Sequence, residues 1–444
     1  MRHHHPAGAV HPHSGFGSIS AGFIGTAPMK KLLIIALLLP LAGCYSFGRG
    51  VASRVMETLD MEERRQDTRQ CEIRGSFFNG ILSHLEEGGT VKVLYLHGIG
   101  THRPGHSTII SENIAHSLGL GVFTRHKDVA IMNPGNPGQR LANLRIIDMR
   151  DPEASKKLIF YELTWSEITS ERKRVLDFDT SGEYAHRRAP FKNTMKAFLN
   201  DVGPDAMIYL TDRPNLILAA TQQAICWMLA SDEAPQIDGS QGQVCGISTL
   251  SMLSGLRKYN IVFISHSLGS RIIMDALGEI VDTLGRAQTV ADYPALVADL
   301  QQKEMSVFML SNQLAFLQIG LPAPDVFGQI DSYCRIDGEH YAQRAFKKLN
   351  VVAFSDPNDL LSYSITQDFV DRYLDSRMCP VVTNIHINVA NPVSAFGIEI
   401  VNPIAAHGNY NSDERVIELI THGNRHLEQN QRLSGRCRMI LLQN

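Results

Sequence analysis

Residues 260–275 read NIVFISHSLGSRIIMD. Ile261, Val262, Phe263 and Ile264 form a short, continuous apolar run of β-branched and aromatic residues, which suits a strand buried on both faces of a parallel sheet. Ser265-His266-Ser267-Leu268-Gly269 follows at once, and from Arg271 to Leu277 apolar residues resume at helical spacing. The order is strand, five-residue turn, helix, with Ser267 at the apex.

A serine hydroxyl is a poor nucleophile at neutral pH. Catalysis needs it held clear of the sheet, beside a base, with backbone N–H groups facing the developing oxyanion. A tight turn from a buried strand into a helix supplies much of this and admits only small residues two before and two after the nucleophile, because strand and helix pass close together there. Ser265 and Gly269 meet that condition, and Ser265 stands where Gly is usual. The plain alternative is a Ser/Gly-rich helix N-terminus that only caps. With a strand before it and a helix after it, the stretch resembles the nucleophile elbow of the α/β-hydrolase superfamily, in its lipase and esterase branch, and Ser267 matches the nucleophile. The resemblance implies an α/β-hydrolase fold: a mostly parallel central sheet flanked by helices, here with a largely helical insertion before the nucleophile strand.

Upstream, Val91–Leu96 reads as a second strong strand and ends in His97-Gly98-Ile99-Gly100. Gly lets a backbone N–H approach a substrate carbonyl. By the resemblance this is the oxyanion-hole loop, with Ile99 (to within one residue) and Leu268 as N–H donors and His97 and Gly98 as loop support. Downstream, strands are expected at Met305–Leu310, Leu349–Phe354 and Val381–Val389. The family's chain order is nucleophile, then an acid after a late strand, then a histidine after the last strand. Ser267, Asp359 and His407 supply that order. Asp356 is the alternative acid, read as shaping the turn before Pro357. His386 falls inside a strand, and His422 and His426 fall at the far end of the closing helix, read as Ser412–Thr421 with an N-cap serine. His407 is expected in a loop.

Between the oxyanion strand and the elbow, the sequence predicts a helix at 107–118, a Pro/Gly-rich loop at 133–138, and strands at Leu144–Met149 and Lys157–Trp165. Helices follow at Pro190–Asn200 and Asp205–Ala230, the latter broken at Pro214. This interval is longer than a minimal hydrolase needs, so residues from about 120 to 250 are a possible cap. The apolar stripe Ile208, Leu216, Leu218, Ile225, Trp227 and Leu229 reads as core in preference to a lipid-binding lid. Cys71–Phe78 is expected as a first, edge strand.

The 444 residues are 44% hydrophobic and 20% charged with a net charge of −3, a globular composition without the basic excess that nucleic-acid binding requires. Residues 1–28, rich in His and Gly and free of acids, read as an unfolded or non-native extension. Met29-Lys30-Lys31, the apolar run Leu32–Leu39 and Leu41-Ala42-Gly43-Cys44 then make a secretory signal too short to span a bilayer. The end of that signal is similar to the lipobox of bacterial lipoproteins. The resemblance implies cleavage before Cys44, lipidation of Cys44, and a periplasmic protein, outer-membrane-anchored, with a tether over residues 44–70 and the hydrolase domain over 71–444. Loss of Arg2, Lys30 and Lys31 would leave 39 cations against 45 acids, a mature charge of −6. Six further cysteines suit an oxidising compartment, with Cys226–Cys245 the first pair expected. No metal-ligand spacing such as H-E-x-x-H occurs, and neither metal nor cofactor is expected. The expected substrate is a small-molecule or lipid acyl ester. An inactive α/β-hydrolase-like lipoprotein that serves as a binding module is the alternative.

Overall fold

The computed structural model describes residues 69–181, 190–212, 215–230, 242–288, 294–395 and 398–441. The leader, Cys44 and nearly all of the tether lie outside the described residues. The chain is an α/β protein built on an 11-stranded, mixed but mostly parallel sheet. Its strands are β1 (Cys71–Gly75), β2 (Thr90–Leu96), β3 (Gly121–Val122), β4 (Lys127–Asn133), β5 (Asn136–Arg150), β6 (Lys157–Thr164) and β7 (Asn260–His266). They continue with β8 (Glu304–Leu310), β9 (Lys348–Ser355) and β10 (Pro380–Ile387); β11 (Val393–Ala395) and β12 (Ile398–Ile400) form a separate ribbon, and β13 (Arg438–Leu441) returns to the sheet. The order across the sheet is β13-β1-β10-β9-β8-β7-β2-β6-β5-β3, with β4 hairpinned onto β5. The six strands from β10 to β6 run parallel.

The helices are α1 (Ile81–Glu86), α2 (Thr108–Ser117), α3 (Glu167–Lys173), α4 (Pro190–Thr211), α5 (Leu216–Ala230), α6 (Thr249–Lys258) and α7 (Gly269–Gln288). After them come α8 (Pro294–Leu300), α9 (Leu314–Leu317), α10 (Ile330–Cys334), α11 (Gln367–Tyr373), α12 (Pro403–Gly408) and α13 (Glu414–His422). Period-two alternation in the parallel strands divides the core into two layers. Ile261, Phe263, Val307, Met309, Val351 and Leu94 pack with Ala224 of α5, Leu253 of α6 and Ile272 of α7. Val262, Ile264, Phe308, Val352 and Val93 face the other way, onto Ile81 of α1, Ile110 of α2 and Val416 of α13. Since both faces are covered, β7 is apolar at every position from Ile261 to Ile264, which is why its sequence is continuous where a half-exposed strand would alternate.

Several expectations change. β5 is longer than Leu144–Met149 and pairs with an unforeseen strand, β4, whose alternation buries Val129 and Ile131. The Pro/Gly-rich stretch at 133–138 is therefore the bend of a hairpin, with 136–138 already in β5. The interval from about 120 to 250 divides accordingly: β3 to β6 belong to the sheet, and a helical segment from α3 to α6 leads from them to β7. Helix α4 runs unbroken through Pro204 where two helices were expected. Pro214 lies outside the described residues. Leu216, Leu218 and Trp227 pack on the core, and Ile225 and Leu229 are within it. β1 is not at the edge, because β13 covers it. Asp413, not Ser412, caps α13: its side chain accepts the Arg415 N–H.

Three disulfides join Cys226 to Cys245, Cys71 to Cys437, and Cys334 to Cys379. This pattern belongs to an oxidising compartment, and among the described residues no helix is long and apolar enough to cross a membrane. The first pair is the expected one. Cys71–Cys437 fastens β1 to the turn before β13, so it ties together the two ends of the described chain. Replacing both of these cysteines with serine is expected to cost about 2–4 kcal/mol, read as a fall in the denaturant midpoint with the fold retained. An unchanged midpoint would show that β13 holds its place without the link.

Candidate active site

The parallel strands β2, β7, β8 and β9 end side by side, and the loops beyond their C-terminal ends carry His97, Gly98, Ile99, Ser267, Leu268, Asp356 and Asp359. At the end of β7 the backbone turns sharply and Ser267 adopts φ +56°, a left-handed conformation costly for any residue with a Cβ. Three hydrogen bonds hold it. The Ser267 N–H donates to the Leu310 carbonyl at 2.9 Å, and the Ser270 N–H and Oγ–H both donate to the Ser267 carbonyl, at 3.0 and 2.8 Å. The steric condition on the flanking residues is visible: a Cβ on Gly269 would stand 2.8 Å from the Leu96 carbonyl and 3.3 Å from the Ser265 Cβ. Ser265, fully buried, is small enough to face it. Leu268 immediately precedes α7 and Gly269 begins it, where N–H groups have no intrahelical acceptor and the helix dipole is positive.

The loop after β2 lies directly on the elbow. A Cβ at Gly98 would fall 2.4 Å from the Ser267 Cβ and 2.9 Å from its Oγ, so only glycine fits. Ser267 is 1% exposed as a result, and its Oγ has no hydrogen-bond partner among the described residues. His97 is buried and stacks on Trp165, with ring centroids 4.5 Å apart. Its Nδ1–H donates to the Gly98 carbonyl and its Nε2 accepts the Trp165 N–H, so both nitrogens are engaged in shaping the loop. Further along, the Gly100 N–H donates to Asp205 at 2.6 Å and the Thr101 N–H to Asp201 at 3.1 Å. With those two amides committed, Gly98 and Ile99 are the loop positions whose N–H groups can serve an oxyanion beside Ser267.

His407 and Asp359 meet on the same edge. Asp359 Oδ1 lies 2.9 Å from His407 Nδ1, and because a carboxylate only accepts, Nδ1 carries the hydrogen. The Ser311 hydroxyl donates to the other carboxylate oxygen at 2.6 Å and is itself 2.9 Å from His407 Nδ1. Asp356 makes a different set of bonds: it accepts the N–H groups of Asn358, Val389 and Ala390 and the Asn358 side-chain amide, tying the end of β9 to the end of β10. His407 sits in α12, a short helix capped by Asn402, and not in an open loop; β11 and β12 intervene between it and β10. His386 bonds Ser364, and His422 pairs with Glu418, each at a distance from this cluster in the contacts they make.

Two residues next to the elbow fix His407 from either side. His266, immediately before Ser267, donates Nε2–H to the His407 carbonyl at 2.7 Å, with ring centroids 5.1 Å apart. Ser311 follows Leu310, the residue that accepts the Ser267 N–H. Ser311 also has positive φ, +49°, and is fully buried. Sequence reading passed over Ser311 and His266, and over Asp201 and Asp205. The first follows a strand as many serines do, His266 is hidden inside the motif as a variable position, and the two aspartates look like the polar face of a helix.

Charge is distributed around the site by burial. Burial raises the Asp359 carboxyl, but the hydrogen bonds from His407 and Ser311 outweigh it and hold the group below its usual range. Burial lowers His97 well below an ordinary histidine and lowers His266 to about 3; burial likewise lowers His106. These three imidazoles are neutral in the folded protein. From pH 6.5 downward the unfolded chain takes up protons that the folded chain refuses, so stability falls with pH across that window. The denaturant midpoint is expected to drop between pH 7 and pH 5, before most carboxylates titrate, and His106→Gln should flatten the drop. A midpoint constant over that range would contradict it.

No family model, curated protein or solved structure matches the chain.

Proposed function

We propose that this chain is a serine hydrolase of the α/β-hydrolase type that cleaves carboxylic esters through Ser267, His407 and Asp359. The observation that carries the reading is the Asp359–His407 hydrogen bond, made on a histidine braced by the residues flanking both ends of the Ser267 N–H···Leu310 link. With Nδ1–H directed at Asp359, the lone pair on His407 Nε2 is the one available to take the Ser267 proton. Asp359 keeps this tautomer and stabilises the imidazolium that forms. The Ser267 oxygen attacks the ester carbonyl, and the tetrahedral oxyanion is met by the Leu268 N–H and by Gly98 or Ile99. His407 then passes its proton to the departing alcohol. Water, deprotonated by the same imidazole, hydrolyses the acyl-enzyme.

An apolar acyl group suits the surroundings. Phe316, on α9 beyond Ser311, and Tyr363, beyond Asp359, are exposed with their rings stacked at 5.8 Å, and Leu360 is exposed beside Asp359. Such exposed apolar groups beside the site favour acyl chains over charged substrates. A lipid anchor at Cys44 would place the enzyme at a membrane surface on the periplasmic side.

Ser267→Ala is expected to abolish ester hydrolysis and fluorophosphonate labelling with thermal unfolding nearly unchanged. Asp359→Asn should fold normally and lose up to ~10⁴ in kcat. Asp356→Asn should stay active and lose about 1–3 kcal/mol of stability, since buried amides lose an acceptor. Activity retained in Ser267→Ala would end the proposal, and the reverse pattern in the two aspartates would move the acid to Asp356. Separately, Cys44→Ser should block lipid incorporation and leave unprocessed precursor; a mature N-terminus elsewhere would remove the anchor.

A further inference from the structure

Helix α4 turns Asp201 and Asp205, one helical turn apart, toward the loop that covers Ser267. Asp205 is fully buried, and a buried carboxylate requires a partner. Its Oδ2 accepts the Gly100 N–H at 2.6 Å and the Lys173 ammonium at 2.8 Å. Lys173, at the end of α3, is itself buried and reaches Asp201 at 3.3 Å. Asp201 accepts both the Thr101 N–H and its hydroxyl, the latter at 2.6 Å. Burial raises the Asp201 carboxyl, but the two Thr101 hydrogen bonds and Lys173 outweigh it and leave it lowered. The loop is thus gripped at consecutive amides by one charged cluster. Gly100 needs its freedom to present its N–H this way, with φ +95°.

We infer that Asp205 and Lys173 are positioning residues for the oxyanion loop, so that the helical segment from α3 to α6 sets the direction of the Gly98 and Ile99 N–H groups toward Ser267. The inference rests on the serine-hydrolase reading for its kinetic consequence, though not for its structural one. The physical argument is a division of labour among adjacent amides. His97 fixes the loop's beginning through Trp165, and Ser166 bonds both the N–H and the carbonyl of His102 at its end. Between those ends the Gly98 carbonyl accepts from His97 at 2.7 Å and the Ile99 carbonyl lies 3.2 Å from His102 Nε2, so each peptide is held from its carbonyl side and flanked by glycine. Anchoring the Gly100 N–H to a buried charge holds the Ile99–Gly100 peptide from its other side as well, and so fixes the backbone next to the peptide that carries the Ile99 N–H. An oxyanion donor acts only when it is already oriented, because reorganisation at the moment of reaction would cancel its benefit. The cluster should therefore matter in the transition state and little in substrate binding.

The test uses the full-length protein with Asp205→Ala, Asp205→Asn and Lys173→Met. Asp205→Ala removes the acceptor and is expected to lower kcat by about 10²–10³, the range for a lost oxyanion donor, with KM nearly unchanged and slower fluorophosphonate labelling. Asp205→Asn keeps an oxygen for the Gly100 N–H and should recover most of that loss. Hydrogen exchange supplies the independent arm: amides 98–101 should exchange faster in Asp205→Ala, while amides of β7 and β8 stay as protected as in the parent. If the parent neither labels nor turns over esters, the hydrolase reading fails, and the exchange arm still decides the clamp. Where Asp205→Ala does not fold, Lys173→Met is read in its place, with the same kcat fall and faster loop exchange expected. Unaltered exchange at 98–101 in a folded variant overturns the inference. So does a kinetic loss carried by KM alone, or a loss that Asp205→Asn does not repair.

Discussion

The hydrogen bond from the Ser267 N–H to the Leu310 carbonyl is the constraint on which the rest of the site depends. It continues the β7–β8 pairing one residue beyond the strand, so the chain cannot widen before it turns. Ser267 is forced to φ +56°, and the helix that follows must pass within contact distance of the end of β2. That closeness excludes any side chain at Gly269 and keeps Ser265 small. A left-handed serine is unfavourable on its own, and it persists because a parallel sheet buried on both faces fixes the strands on either side.

From the same link the other parts follow in space. Leu310 is followed by Ser311, which meets Asp359 and His407; His266 precedes Ser267 and meets the His407 backbone. The acid, the imidazole and the hydroxyl are thereby referenced to one pair of adjacent strands, although they come from positions spread over 140 residues of chain. The helical segment from α3 to α6 adds a second reference. It approaches from the side of β2 and grips the loop of His97 to His102 through buried charge. The sheet and these helices share one core layer, and both contribute contacts to the loops around Ser267.

The disulfides reinforce what hydrophobic packing does less well. Cys71–Cys437 secures β1 and β13, the sheet margin farthest from the elbow, where the strands are short. Cys226–Cys245 closes the segment after α5, and Cys334–Cys379 joins α10 to the start of β10. None of the six bonded cysteines lies within the central strands β2, β7, β8 and β9. Those are held by the two-layer core, in which Phe263 and Phe308 are fully buried on opposite faces.

By itself the sequence determined the α/β class, most of the parallel strands, the turn at Ser267 and the pairing of Cys226 with Cys245. These depend on local composition: a continuous apolar run, small residues at a close crossing, and a short spacing between cysteines. It also read Asp356 as shaping the turn before Pro357, where Asp356 accepts the Asn358 N–H. It misjudged β4 and the unbroken α4, since a strand of mixed composition and a proline tolerated inside a helix both depend on what they pack against. Ser311, His266, Asp205 and Lys173 carry no local signature. Their positions became meaningful only when strands and helices distant in the chain were brought within hydrogen-bonding distance, because a hydrogen bond acts over about 3 Å of space and takes no account of separation along the chain.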